Sequence, residues 1–214
     1  MKSLGNFFSR ALHHHADTES SNNSRDQDSV YLLLGQKPGA PDKTAGTPSR
    51  EEVLNYLGQL AKDYHLPPKL VYAVADAESN FNVGLVSHNY GHGKHGSKFI
   101  KSTDYGLMQI NSKRINHDVV RDSAGHKMKI DGSVVQDWKA NARAGVAILK
   151  HNYDLVGLAE GAGASREDLT LGTYSAYNHG TRHWHKFLER GKDGTPTDPG
   201  NRNFLERYHQ SSER

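Results

Sequence analysis

Helical periodicity in this chain breaks off between residues 83 and 101 and returns in full only after residue 130. Before the break, Ser49 and Glu52 stand at capping-box spacing. Val53, Leu54, Leu57, Leu60, Ala61 and Tyr64 then recur at helical spacing. Leu66-Pro67-Pro68 ends that helix and opens the next, because proline suits a first turn and not an interior. Leu70, Val71, Val74, Ala75 and Glu78 share one face of the second helix. In the break itself, NYGHGKHGSK reads as a glycine- and histidine-rich loop, and STDYGLMQIN as a strand or turn entering a short helix. Residues 114–130 read as polar loop, with Met128 and Ile130 in a short strand.

After the break, Ser133 and Gln136 give a second capping-box spacing. Trp138, Ala142, Gly145, Val146, Leu149 and Tyr153 form a helical stripe that should stop by Gly157. Ser165 and Asp168 start another helix, with Leu169, Tyr174 and Tyr177 inward and Gly180 past its end. NFLERYHQ reads as a last short helix, and there is no internal repeat. Helices interrupted once predict a mainly α fold of α+β kind over residues 47–210, with a small irregular or β lobe between the second and third helices.

Residues 1–46 read differently. Leu4, Phe7, Phe8 and Leu12 permit a short amphipathic helix, although a mobile end is the commoner outcome for such a stretch. ADTESSNNSRDQDS is too polar to bury a core and predicts disorder. Residues 30–35, VYLLLG, form an apolar island suited to docking, and QKPGAPDKTAGTP reads as linker. Mean hydropathy is −0.79, which fits a chain that is packed only in part.

Cysteine is absent, so neither a disulfide nor a thiol contributes. Net charge is +3 with basic residues scattered, which argues against a nucleic-acid partner. No apolar stretch is long enough to cross a membrane, and the first residues lack a signal-peptide pattern. A substrate outside the cytoplasm would then require delivery by a secretion system, a virion or holin-type lysis.

Two carboxylates stand out. Glu78 continues the apolar stripe of Val71 and Val74 in a last helical turn, where the dipole opposes a negative charge. Burial and dipole are both expected to raise its pKa and keep it protonated, as a general acid requires. The alternative is a boundary glutamate that reaches water or pairs with a lysine. Asp104 precedes Tyr105-Gly106 and is expected on a turn, ionised by nearby backbone N–H groups. Its alternative is a turn-capping aspartate. Two acids of unlike surroundings at one cleft are what glycosidic cleavage needs.

ESNFN (78–82), YGLMQIN (105–111) and SAYNHG (175–180), in that order, resemble the ES, GLMQ and AYN motifs of the soluble lytic transglycosylase family. The resemblance spans roughly residues 50–190 and implies a lysozyme-like domain. It implies that Glu78 is the acid/base and that Ser79 helps orient it or the substrate. It also implies that Gly106, Leu107, Met108 and Gln109 form the cleft segment, with Gln109 on sugar, and that Tyr105, Tyr177 and Asn178 line the cleft. Tyr174 is expected in the core. STDYGLMQINS (102–112) also resembles the matching stretch of animal c-type lysozymes, whose aspartate there is the nucleophile. An aspartate before GLMQ looks most like the transglycosylases of secretion systems and phages.

The implied substrate is the peptidoglycan glycan strand, cut between N-acetylmuramic acid and N-acetylglucosamine by a monomer without cofactor. Secretion-apparatus or virion proteins would be partners of the N-terminal tail. Other readings are a lysozyme-type hydrolase using Asp104, a non-catalytic component of a secretion or phage machine, and a zinc hydrolase. For the last, His88, His92 and His95, or His179, His183 and His185, would be ligands, but neither trio has the opposing Glu or Cys pattern. Rim contacts to sugar by these histidines, Tyr90 and Trp184 fit better, with the 83–103 segment over the cleft.

Overall fold

The computed structural model describes residues 47–161 and 163–211. The expected tail and linker, with the 4–12 stretch and the 30–35 island, lie outside the described residues, as does the side chain of His95. Helix α1 is Arg50–Asp63, and the Ser49 hydroxyl accepts from the Glu52 N–H at 3.1 Å, as the capping-box spacing predicts. Helix α2 is Pro68–Ser79, with proline at its first turn. It buries Leu70, Val71, Val74, Ala75 and Glu78 as one face. It ends abruptly because Asn80 and Phe81 both take left-handed backbone, at φ 51° and 61°. Such a conformation is unfavourable for phenylalanine. Burial of the ring, under the Arg50 guanidinium at 4.2 Å, holds it there.

The glycine- and histidine-rich stretch is a hairpin and not the expected loop. Strand β1 (Val86–His92) pairs antiparallel with β2 (Lys98–Tyr105), with an irregularity at Asn89/Tyr90. Its outer residues are mostly exposed, so no hydrophobic alternation announces it. Cross-strand bonds do the work instead: His88 to Thr103 at 3.1 Å and Asn89 to Ser102 at 3.2 Å. The expected short helix after STDYG is also absent. Residues 106–109 form a turn, with Gly106 at φ 72° and Gln109 at φ 45°, and β3 (Ile110–Asn111) pairs back onto β2. A right-handed helix cannot pass through two left-handed residues. The 114–130 segment holds a second hairpin, β4 (Val119–Arg121) with β5 (Lys127–Lys129). Met128 lies in β5 as expected, and Ile130 follows it, buried.

Ser133 opens only a single helical turn, α3 (Ser133–Gln136), and does not cap the long helix. Helix α4 (Trp138–Glu160) is capped by Asp137, whose carboxylate accepts from the Lys139 N–H at 2.8 Å. It runs through Gly157, where a stop was expected. One interior glycine costs only about 1 kcal/mol, whereas Gly161 at φ 74° ends the helix outright. Helix α5 (Arg166–His179) starts at Ser165 and ends at Gly180 as predicted. Helix α6 is Pro199–Gln210.

Helix α4 is the centre of the molecule. Ala140, Ala142, Ala144, Gly145, Val146 and Ala147 are all buried, and such small residues let α1, α3, α5, β3 and β4 pack around it. Helix α6 closes the other side, with Phe204 stacked on Tyr174 at 4.1 Å and Arg207 paired with Asp76 of α2 at 2.6 Å. Tyr174 is therefore core. The architecture is a mainly helical, lysozyme-like α+β fold with a small strand lobe between α2 and α3.

Candidate active site

The end of α2 is fastened to the 106–109 turn. Ser79 Oγ lies 2.8 Å from the Leu107 carbonyl and 3.1 Å from the Ala75 carbonyl, and its hydroxyl donates to these backbone oxygens. Glu78, its neighbour, is 8% exposed at the end of the apolar face that the sequence predicted.

Three further clamps fix the turn. Gly106 N–H donates to the Leu85 carbonyl at 2.7 Å. Tyr177 donates its phenolic hydrogen to the Met108 carbonyl at 2.7 Å. Asn141, buried in α4, accepts from Met108 N–H at 2.9 Å and donates to the carbonyls of Tyr105 at 2.8 Å and Val134 at 2.9 Å. Gly106 has no room for a side chain, since a Cβ would lie 2.7 Å from Asn141 Nδ2. At Gly145 a Cβ would run into the Met108 side chain, so that glycine sets how closely α4 approaches the turn.

Gln109 Nε2 donates to the carbonyls of Leu85 at 3.1 Å and Gly106 at 2.9 Å. Its Oε1 is buried without a hydrogen-bond partner among the described residues. Its donors are thus committed to backbone. Tyr105 is buried, and burial pushes its phenol pKa up, against the opposing effect of a bond with Thr103.

Asp104 lies inside strand β2 and not on a turn. Backbone N–H groups of a strand serve the ladder, so its carboxylate is held by side chains. Asn111 Nδ2 donates to Oδ1 and Asn89 Nδ2 to Oδ2, each at 2.7 Å. Both amides also lie near Ser102 Oγ, at 3.1 and 3.2 Å. Each carboxylate oxygen thus accepts from one amide. The strand register supplies these partners, with Asp104 opposite Asn111 and Asn89 opposite Ser102.

The structure therefore brings Glu78, Ser79, Tyr105, Gly106, Met108, Gln109 and Tyr177 to one turn, with Asp104 leading into it. Asn178 follows Tyr177 near the end of α5. Its amide lies beside Gly200 at the start of α6, where an added Cβ would sit 2.9 Å from Nδ2. Trp184 is also unavailable to sugar, because it is buried against Val156 and Ala176. An aromatic ring following a helix terminus is as useful to a core as to a rim. Tyr90 is exposed. His179 stacks on Phe187 at 3.7 Å and lies 3.4 Å from Asp198. No group of three His, Cys, Asp or Glu residues able to hold a metal occurs among the described residues. Asn89, Asn111 and Asn141 escaped the sequence reading. For Asn141 the only signal was a polar residue inside an apolar stripe.

A cavity of about 990 Å³ lies apart from the carboxylates, between the end of α1, the β4–β5 hairpin, α4 and the end of α5. Neither Glu78 nor Asp104 lines it. The model of the transglycosylase SLT domain matches residues 55–196, a span that holds every motif residue discussed. No curated protein and no solved structure matches the chain. With well over half its length matched and a lysozyme-like fold beneath the motifs, this chain belongs to the transglycosylase SLT family, whose activity is peptidoglycan cleavage of the lytic transglycosylase type.

Proposed function

We propose that the chain cuts the bond between N-acetylmuramic acid and N-acetylglucosamine with Glu78 as general acid and base and Asp104 as its ionised partner. The observation that carries this reading is the unlike treatment of the two acids. Glu78 sits on an apolar face at the negative end of α2, while each oxygen of Asp104 accepts from an asparagine amide at 2.7 Å.

Glu78 donates its proton to the glycosidic oxygen, and that bond breaks as positive charge develops on the muramic anomeric carbon. Asp104 lowers the energy of that charge. The glutamate left behind removes the proton from the sugar's own 6-hydroxyl, whose oxygen closes a 1,6-anhydro ring. Ser79, Tyr177 and Asn141 act through the turn that they hold. Gln109 Oε1 has no hydrogen-bond partner among the described residues, which supports a role in accepting from a substrate N–H or O–H.

The clamped Asp104 also favours a second reading, a hydrolase in which Asp104 attacks the anomeric carbon and water later replaces it. Mass spectrometry of digested peptidoglycan separates the two. Anhydro ends, lighter by one water, support the transglycosylase; reducing ends support the hydrolase. Retention of most activity by Glu78→Gln refutes both.

A further inference from the structure

The outer half of the β1–β2 hairpin carries apolar side chains on both of its faces. Tyr90 stands opposite Ile100, so those two share one face, and Phe99, the next residue of the strand, takes the other. Phe99 lies across its cross-strand partner, since a Cβ added at Gly91 would sit 2.6 Å from its ring. None of the three is covered: Tyr90 is 58% exposed, Phe99 52% and Ile100 48%. The other exposed large hydrophobics among the described residues, Val119 and Leu158, stand singly on β4 and α4. A cluster of this kind on one ribbon marks a contact surface.

The same ribbon is cationic. Lys94, Lys98 and Lys101 are exposed, and no Asp or Glu occurs between Val83 and Thr103. Over the whole chain Lys and Arg number 27 against 24 Asp and Glu, so the hairpin holds the entire excess and the remainder is balanced. The first acid after it, Asp104, is buried and held by Asn89 and Asn111.

A partner for this ribbon must be anionic and must cover apolar groups on two opposite faces at once. A folded protein surface or a sugar ring covers one face. The headgroup zone of a bilayer yields around an inserted group and covers both. Aromatic rings settle at that level, and lysine stems lie along apolar material while their ammonium groups reach the phosphates. We infer that the outer half of the hairpin seats on an anionic phospholipid surface, with Tyr90, Phe99 and Ile100 in the headgroup zone and the three lysines on lipid phosphates. Asp104 follows Phe99 five residues along the same strand, about 17 Å in extended chain. A seated hairpin would therefore hold the candidate acids close to the membrane. The inference goes beyond the glycan-cleaving reading and does not depend on it.

Co-sedimentation of the full chain with two kinds of vesicle tests it: phosphatidylcholine alone, and equal parts phosphatidylcholine and phosphatidylglycerol. The wild type should bind the mixed vesicles and not the neutral ones. One lysine near an anionic leaflet is worth about 5-fold in partitioning, so Lys94→Gln with Lys98→Gln should weaken binding about 10-fold or more. Phe99→Ser with Ile100→Ser should weaken it about 10-fold as well. Ile100→Ser alone leaves Phe99 on Gly91 and should still cost about 3-fold, which keeps the apolar arm readable if the double variant melts early. Turnover of soluble glycan fragments without lipid should match the wild type in every variant. The inference is overturned if the wild type ignores mixed vesicles or binds neutral ones equally well. It is also overturned if the lysine variant or Ile100→Ser keeps wild-type binding; loss in the lysine variant alone would be charge adsorption only. Slower turnover of soluble fragments by a stably folded variant overturns it too, because the hairpin would then touch sugar. A wild type that cleaves no glycan refutes the glycan-cleaving reading instead, and the vesicles still decide this one.

Discussion

The side-chain oxygen of Asn141 accepts from the backbone N–H of Met108 at 2.9 Å, tying the central helix to the turn between the two carboxylate-bearing segments. The amide nitrogen of the same side chain donates to the Tyr105 and Val134 carbonyls. One buried carboxamide thus satisfies backbone groups on both sides of Gly106. Asn141→Ala would strand them, at about 1–3 kcal/mol for each buried group left unpaired. Chemical denaturation should report a loss of at least about 2 kcal/mol. Asn141→Asp, which lacks the N–H donors, should recover little of it.

Asp104 depends on Asn89 and Asn111 for its place. Asp104→Asn removes the charge and sets an amide against two amide donors, so that a donor faces a donor on at least one side. Its kcat should fall about 100-fold or more, while the fold loses only about 1–2 kcal/mol. Asn89→Ala with Asn111→Ala keeps the charge but not its position, and should lower kcat more than it raises KM. Steady-state kinetics on soluble glycan fragments separate these cases.

The close approach of α4 to the turn predicts a steric effect. Gly145→Ala pushes a methyl into Met108, and overpacking of this kind costs typically 1–3 kcal/mol. Pairing it with Met108→Ala, which makes room, should return part of the loss in a double-mutant cycle. Thermal melts of the four proteins check it.

Asp198 gives the clearest pH dependence. Burial acts to raise its pKa, but the bond with His179 and the N–H groups of Asn201 and Gly200 outweigh it, so the carboxyl titrates below its usual range. A folded pKa below the unfolded value of about 3.9 adds stability that is complete above pH 4. That contribution is lost as pH falls through the lower, folded value. Asp198→Asn should therefore flatten the acid side of a plot of melting temperature against pH. At neutral pH the cost should be about 1 kcal/mol, from the lost carboxylate bond with His179, since asparagine caps α6 about as well as aspartate.

Local chemistry was legible from the residues alone. Ser49, Pro68, Ser165 and Gly180 set helix boundaries because caps and prolines act within a few residues. Glu78 was placed on a buried face by its spacing from Val71 and Val74. The β1–β2 hairpin was not legible, because its residues are held by cross-strand partners and bury little apolar surface. The Ser133 spacing misled because Asp137, nearer the long stripe, caps α4.

What the sequence determined by itself was the set of helices, the single interruption and the identity of two candidate acids, all properties fixed by neighbours in the chain. Only the tertiary structure decided that Asp104 sits in a strand between two asparagines, that Asn178 turns toward Gly200 and that Trp184 is core. Those outcomes depend on which distant segments meet, and hydrogen-bond partners brought together by folding leave no periodic trace in the order of residues.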